Sequence, residues 1–126
     1  MTSFLVDTDV LIDFLRGYAP AVQWMGERRN QPLVSVITIA ELRAGMRAGE
    51  ESALETLFDA LVAIPVDERI AGCAGDLRRE FGPSHGTGLA DALIAASSIM
   101  NKARLVTLNA KHYPMMKGLL QPYRKD

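Results

Sequence analysis

Near its N-terminus the chain reads Phe4-Leu5-Val6-Asp7-Thr8-Asp9-Val10-Leu11-Ile12-Asp13. The first three residues form a short apolar run that is typical of a buried strand, and two acidic residues follow before a second apolar run. Burying an ionised carboxylate without a partner costs on the order of several kcal/mol. Asp7 and Asp9 therefore need compensation, and a divalent cation is a partner that would supply it.

The bulk composition predicts one domain, residues 1–126, with a full hydrophobic core. Its net charge of −1 gives no general attraction to nucleic acid, although local basic patches can still bind RNA. The single cysteine, Cys73, excludes an intrachain disulfide. The N-terminus lacks the basic and apolar regions of a signal peptide, and no apolar run is long enough to span a bilayer, so we expect a cytoplasmic protein.

Short apolar runs alternate with helical patterns along the chain, and this alternation predicts an α/β fold with a parallel sheet. The predicted strands are Ser3–Asp7, Leu33–Val36, Ala63–Val66 and Arg104–Thr107, with a weaker fifth near Gly118–Gln121. Helical spacing predicts helices around Leu54–Leu61 and Ile70–Phe81, the second capped by Asp67. The segment Leu89–Asn101 is apolar on almost all sides and predicts a buried helix, and the glycine-rich residues 82–88 before it predict a loop.

Asp7 and Asp9 follow the first predicted strand. In parallel α/β sheets ligands bind at the carboxyl ends of the strands, so Asp7 is expected to have a functional role. Asp9 suits equally well a role in the site and a role as a cap of the helix that follows.

Glu41 and Asp91 are the other two acidic candidates. Thr38-x-x-Glu41 matches a capping box, which explains Glu41 without any function, but its helix starts at a strand end and could bring Glu41 to the same edge as Asp7. Asp91 is the only charged residue between His85 and Lys102. A helix dipole stabilises such an acid by up to about 1 kcal/mol, which is less than its burial would cost, so a role as a metal ligand is favoured.

Asn109 follows the last clear strand and could orient a metal-bound water, although asparagine is also common in turns. His112 is expected to be a helix-end or surface residue. Arg16, Arg43 and Arg47 lie close to the acidic motifs and are weak candidates for binding RNA phosphates, because arginines on amphipathic helices usually face solvent.

Oxygen donors from several chain regions, without a cluster of cysteine and histidine for zinc, suit a hard cation such as Mg²⁺ or Mn²⁺. Such a site hydrolyses phosphodiesters with a metal-activated water.

Four motifs resemble those of VapC-type PIN-domain ribonuclease toxins. They are Val6–Asp13, Thr38–Gly45, Leu89–Ala96 and Thr107–Tyr113. The resemblance implies a three-layer α/β/α fold with a central, mainly parallel sheet of four or five strands. It also implies a Mg²⁺- or Mn²⁺-dependent endoribonuclease, a homodimer, and a cognate VapB-like antitoxin that blocks the active site.

The same resemblance implies roles for individual residues. Asp7, Glu41 and Asp91 match the acidic triad that binds metal, and Asn109 stands where many members have a fourth acid. Asp9 and Thr107 match supporting positions.

Two other functions are compatible with parts of the sequence. The Asp7-x-Asp9 step resembles the start of haloacid dehalogenase-like phosphatases, in which Asp7 would be the nucleophile and Asp9 the general acid. Those enzymes need a lysine and a later acidic pair, and this chain offers only Asp91 in the corresponding region. Alternatively, because Asn109 replaces an acid, the chain could be a catalytically inactive PIN-like module that binds RNA or protein.

Overall fold

The computed structural model describes residues 2–125 and contains a four-stranded parallel sheet. The strands are β1 (Phe4–Val6), β2 (Leu33–Ser35), β3 (Val62–Ile64) and β4 (Arg104–Val106), in the order β3-β2-β1-β4. Every neighbouring pair is parallel. The predicted α/β fold with a parallel sheet is therefore confirmed.

Six α-helices lie in the described part of the chain. They are α1 (Thr8–Leu15), α2 (Ala19–Gly26), α3 (Val36–Ala44), α4 (Glu51–Asp59), α5 (Glu68–His85) and α6 (Leu89–Met100). The predicted cap of α5 is present, because Asp67 Oδ1 accepts a hydrogen bond of 2.9 Å from the backbone N–H of Ile70. A short 3₁₀ helix, Ala110–His112, follows β4.

The start of α3 differs from the prediction. Ser35 is its N-cap, with the side-chain oxygen accepting a 3.0 Å hydrogen bond from the N–H of Ile37. Thr38 therefore lies inside the helix and is fully buried, and Thr38 and Glu41 do not form the capping box that their spacing matches. The physical reason is that a serine at the end of β2 already accepts a hydrogen bond from one of the free N–H groups of the first turn, that of Ile37.

Two further predictions hold only in part. Near the predicted fifth strand, Leu120 forms a single parallel bridge with Val106, without a strand. The predicted loop is shorter than residues 82–88, because α5 continues past Pro83 to His85. The helix ends at Gly86, whose φ of 68° is the left-handed conformation that glycine adopts without strain.

Side chains of the central strand alternate between the two faces of the sheet. Val6 packs with Val10, Trp24 and Leu54 on the side of α1, α2 and α4. Leu5 packs instead with a cluster on the side of α6 that includes Ile94 and Leu105. Helix α5 covers the outer face of α6. Helices therefore cover both faces, which gives three layers.

Helix α6 is buried over its middle and exposed at both ends. Residues 94–98 are buried, whereas Leu89, Ile99 and Met100 are exposed. The prediction of a buried helix is thus correct only for its centre. None of the helices in residues 2–125 has both the length and the apolar character that crossing a membrane requires.

The strand order locates the edge at which a ligand would bind. The chain proceeds from β1 to β2 and β3 on one side and then returns to place β4 on the other side of β1. This reversal is a topological switch point, where open α/β sheets leave a crevice at the carboxyl ends of the strands. Val6 pairs with Val106, so Asp7 and Thr107 leave the sheet side by side at that crevice.

Leu5 provides a test of this packing, because its side chain is completely buried in β1. We expect Leu5→Ala to lower the free energy of unfolding by about 2–5 kcal/mol, since the removed methyl groups leave a cavity. Leu89→Ala, at a leucine that is 59% exposed, should change it by less than about 0.5 kcal/mol. Urea denaturation measures both, and equal effects would contradict the assigned core.

Candidate active site

Asp7 is the N-cap of α1 and is only 6% exposed. Its Oδ1 accepts a 2.8 Å hydrogen bond from the backbone N–H of Thr8. Its Oδ2 accepts hydrogen bonds from the Thr107 hydroxyl at 2.8 Å and from the Tyr113 hydroxyl at 3.0 Å. The carboxylate is thus held by donors from the start of α1, the end of β4 and the segment after the 3₁₀ helix.

The pKa of Asp7 is raised to about 7. Burial is the largest cause, and the negative charge of Asp9 adds to it. Hydrogen bonds from Thr107, Thr8 and Tyr113 favour the ionised form and oppose this shift only in part. Asp7 therefore carries an electrostatic cost that a nearby positive charge would remove.

Asp91 lies in the first turn of α6, and its side chain is 27% exposed. The expectation of a buried lone carboxylate is therefore wrong, since the helix presents Asp91 at its open end. Its Oδ2 accepts a 3.2 Å hydrogen bond from the N–H of Gly88 and lies 3.4 Å from Nδ1 of His112. Its Oδ1 lies 3.3 Å from the hydroxyl of Tyr113. Asp91 thus caps its helix and also faces the group that binds Asp7.

Tyr113 also contacts these carboxylates, and the sequence analysis assigned no role to it. It is 1% exposed, and its hydroxyl lies between the carboxylates of Asp7 and Asp91. Burial raises the pKa of Tyr113 well above its usual range, and the charges of Asp7 and Asp91 raise it further, so the hydroxyl keeps its proton. The only signal in the sequence is its place in the motif Thr107–Tyr113, and nothing in that motif shows that the chain turns back toward Asp7.

Glu41 lies at the same edge of the sheet and is connected to it through Thr8. Its side chain is exposed, and Oε1 accepts a 2.6 Å hydrogen bond from the hydroxyl of Thr8. The Thr8 hydroxyl also lies 3.0 Å from that of Thr38. Thr8, which the sequence analysis gave no role, therefore connects Glu41 to the residue next to Asp7.

Asp7 and Asp91 contact the same hydroxyl, whereas Glu41 contacts Thr8, so the three carboxylates do not converge on a single point. In residues 2–125, no three acidic, histidine or cysteine side chains are grouped so that they could hold a metal ion in this conformation. Mg²⁺, however, is usually bound by one or two carboxylates together with water and substrate phosphates. Asp7 and Asp91 supply two such oxygen donors around one hydroxyl, so the chemistry of the donor set fits a hard divalent cation.

Asp9 holds the backbone on both sides of the crevice. Its Oδ1 accepts a hydrogen bond from the N–H of Val10 at 2.8 Å, and its Oδ2 accepts one from the N–H of Leu108 at 3.0 Å. The Thr107 hydroxyl lies 3.4 Å from the same Oδ2. Burial raises the pKa of Asp9. Asp9 therefore joins α1 to the segment after β4, and it does not cap α1, whose N-cap is Asp7.

Asn109 and His112 lie together beside Asp91. The side-chain Nδ2 of Asn109 is 2.7 Å from Nδ1 of His112, and the backbone N–H of Asn109 donates to the Thr107 hydroxyl at 3.1 Å. The hydroxyl of the buried Thr87 donates to the backbone carbonyl of His112 at 2.7 Å. His112 is thus the last residue of the 3₁₀ helix, as the expectation of a helix-end residue has it, and its side chain is partly buried beside Asp91.

The three arginines differ in their surroundings. Arg16 lies 3.9 Å from Glu50 and lines, together with Glu41, a cavity of about 200 Å³. The guanidinium of Arg43 lies over the ring of Phe58, 5.5 Å from its centre. Arg47 is exposed just after α3. Of the three, Arg16 is the one that shares a cavity with a candidate site residue.

Comparison with known proteins matches residues 4–115 to the PIN domain. The chain is 42% identical over 122 residues to ribonuclease VapC10 of Mycobacterium tuberculosis, covering 94% of this chain and 92% of that protein. It is 40% identical over 123 residues to ribonuclease VapC19 of the same species, covering 94% and 98%. Among solved structures, a toxin–antitoxin complex from Klebsiella pneumoniae is similar with a TM-score of 0.86 and 28% identity, covering 98% of this chain and 100% of that chain.

The raised pKa of Asp7 predicts how stability depends on pH. Because the folded protein binds this proton more tightly than the unfolded chain, whose ordinary aspartate pKa is 3.8, the favourable contribution is complete below that value and is lost as pH rises through about 7. With EDTA present, we expect the free energy of unfolding of the unsubstituted protein to fall between about pH 5 and pH 8 relative to that of Asp7→Asn. Urea denaturation across this range measures the difference.

Asp76→Asn is the matched control, because its side chain is 75% exposed and pairs with Arg79 on the surface of α5. Its stability should follow that of the unsubstituted protein at every pH. Parallel curves for Asp7→Asn and the unsubstituted protein would show that Asp7 carries no such cost.

Proposed function

The chain belongs to the PIN-domain family and, within it, to the VapC ribonucleases, and we propose on this basis that it is an endoribonuclease that acts as the toxin of a VapBC-type pair. The observation that carries the proposal is the pairing of Asp7 and Asp91 about one buried hydroxyl, at the switch point of a parallel sheet. Family membership and the position of the pair together favour the hydrolysis of RNA phosphodiester bonds.

We propose Mg²⁺ or Mn²⁺ as the cofactor, with Asp7 and Asp91 as its principal ligands and Glu41 as a third. When bound, such an ion activates a water molecule for attack and neutralises charge that develops on the phosphate. The raised pKa of Asp7 supports the proposal, because a cation would favour the ionised carboxylate that burial disfavours.

Other side chains would orient the ligands and the substrate. Thr107 and the N–H of Thr8 fix the two oxygens of Asp7, and Asp9 holds the backbone that carries Thr107. Asn109 lies close enough to this edge for its amide to orient an attacking water or a phosphate oxygen. Arg16 is the preferred candidate for an RNA phosphate, and Arg43 and Arg47 stay weaker candidates.

The partner we propose is a VapB-like antitoxin in the cytoplasm, with a homodimer of this chain as the toxin. A groove of about 700 Å³ between α1, α2 and α4 suits such a partner. Its apolar lining includes Phe14, Leu15, Val22, Met25 and Leu57. An apolar groove of this kind accepts the apolar face of a helix.

Two alternatives have different requirements. A haloacid dehalogenase-like phosphatase would form a phosphoenzyme on Asp7, and the match of residues 4–115 to the PIN domain argues against it. An inactive binding module would retain the fold and the antitoxin surface but would cleave no RNA. RNA cleavage therefore separates the proposal from its alternatives.

The direct test is cleavage of a mixed pool of structured RNAs with Mg²⁺, Mn²⁺ or EDTA. We expect cleavage with either metal and none with EDTA. Asp7→Ala and Asp91→Asn should each reduce the rate by more than about 100-fold, because even residues that only orient a ligand cost 10–100-fold when removed. Asp91→Asn should stay folded, since it removes one negative charge from a crowded acidic edge.

Asp76→Asn is again the matched control and should cleave at the unsubstituted rate. Cleavage that persists in EDTA and in both site variants would come from a contaminant and would contradict the proposal. Absence of cleavage under every condition, in protein that still binds its antitoxin, would favour the inactive module.

The groove is tested by co-expressing the chain with its antitoxin. We expect Val22→Glu, at a valine that is 43% exposed in the groove, to reduce the recovered complex by at least about 10-fold while RNA cleavage is retained. Ile99→Glu, at an isoleucine that is 41% exposed at the end of α6 far from Asp91 and outside the groove, is the control and should leave the complex intact. An unchanged yield with Val22→Glu would place the antitoxin on another surface.

A further inference from the structure

We propose that Tyr113 is a positioning residue whose hydroxyl holds the carboxylates of Asp7 and Asp91 at the spacing at which both reach one divalent cation. This inference rests on the proposed metal-dependent function and assigns to Tyr113 a role that the acidic residues cannot fill themselves. Tyr113 supports the two metal ligands and is not itself a ligand.

The Tyr113 hydroxyl lies between the carboxylates of Asp7 and Asp91. The hydroxyl oxygen of Tyr113 lies 3.0 Å from Oδ2 of Asp7 and 3.3 Å from Oδ1 of Asp91. Asp7 follows β1, Asp91 lies in α6, and Tyr113 follows the 3₁₀ helix, so one hydroxyl joins three separate elements. In residues 2–125, no hydrogen bond connects Asp7 and Asp91 through any other single side chain.

The tyrosine ring is rigidly held, which is what a positioning residue requires. Tyr113 is 1% exposed and packs in the cluster of Leu5, Ile94 and Leu105 between the sheet and α6. The hydroxyl therefore stays in place, and the two carboxylates are oriented relative to the core of the protein.

The Tyr113 hydroxyl has one hydrogen for two neighbouring carboxylates. A phenol hydroxyl carries one hydrogen and donates to one acceptor at a time, yet it lies within hydrogen-bonding distance of two carboxylates. When both carboxylates are ionised, the one that does not receive the hydrogen faces the hydroxyl oxygen and the negative charge of the other carboxylate. A cation between the carboxylates would remove this repulsion, and the arrangement is therefore suited to a bound ion.

The carboxylates keep oxygens available for that ion. Oδ2 of Asp7 receives two hydroxyl donors, whereas Oδ1 receives only the N–H of Thr8. Because a carboxylate oxygen has more than one lone pair, Oδ1 of Asp7 can accept this N–H and still bind a cation. Tyr113 thus contacts Oδ2 of Asp7 and Oδ1 of Asp91. The second oxygen of each carboxylate accepts one backbone N–H, from Thr8 and Gly88 respectively, and keeps a lone pair for coordination.

The test compares Mn²⁺ affinity in the unsubstituted protein, Tyr113→Phe and Tyr123→Phe, measured by electron paramagnetic resonance of free Mn²⁺. We expect Tyr113→Phe to bind Mn²⁺ about 10–100-fold more weakly, which is the usual loss when a group that orients a ligand is removed. Tyr123 is the matched control, because its hydroxyl donates to a different carboxylate, Oδ2 of Asp13, at 2.7 Å. Tyr123→Phe should keep the unsubstituted affinity.

A double variant tests whether Tyr113 acts through Asp91. We expect Tyr113→Phe to weaken Mn²⁺ binding less in the Asp91→Asn background than in the unsubstituted protein, because Tyr113 then has only Asp7 to orient. Losses that simply multiply would overturn the positioning role. A merely structural role would lower the melting temperature of Tyr113→Phe and leave Mn²⁺ affinity unchanged.

A measurement on the unsubstituted protein makes the test independent of variant folding. The chain contains three tyrosines, and labelling each Cζ with ¹³C reports on its hydroxyl. We expect added Mg²⁺ to shift the Cζ resonance of Tyr113 and to leave those of Tyr18 and Tyr123 in place. Mg²⁺ binding without a Tyr113 shift would overturn this inference alone, whereas an unsubstituted protein that binds neither ion would overturn the proposed metal dependence as well.

Discussion

The hydrogen bonds around the carboxylate of Asp7 organise the edge of the sheet. A carboxylate that is 6% exposed must be satisfied from within the protein, and its donors are Thr8, Thr107 and Tyr113. These donors belong to the start of α1, the end of β4 and the chain beyond it, so their contacts bring together segments that the sheet alone leaves separate. Asp9 strengthens the same junction through the N–H of Leu108. The crevice keeps its shape because one buried charge requires all of these partners.

The buried carboxylate of Asp7 has an electrostatic cost, which the proposed binding of a cation explains. The hydrogen bonds do not compensate fully for burial and for the charge of Asp9, and the pKa of Asp7 is raised as a result. A protein selected for stability alone would have no need of a buried aspartate at this position, whereas a protein that binds a cation gains an ionised, oriented ligand. The cost in the free protein is therefore the counterpart of the proposed affinity for metal.

The two sides of the crevice differ in rigidity and exposure. On one side, Tyr113 is packed in the core, and its hydroxyl contacts Asp7 and Asp91. On the other side, Glu41 and Arg16 border a small cavity. A rigid side with two carboxylates, next to an open side with one acidic and one basic side chain, suits the proposed metal-dependent cleavage of a long, anionic substrate. The separation also explains why Glu41 contacts the site through Thr8 and does not contact Asp7 directly.

Local patterns were sufficient to predict the parallel α/β fold, the four strands and the cap of α5, and they single out Asp7 and Asp91 as candidate site residues. They were sufficient because strand ends, helix caps and isolated charges in apolar segments are features of neighbouring residues. The position of the Tyr113 hydroxyl between Asp7 and Asp91, the contact of His112 with Asp91 and the start of α3 at Ser35 were not predictable in this way. They depend on the path of the chain after β4 and on which donor lies nearest in space, and only the packing of distant segments fixes those distances.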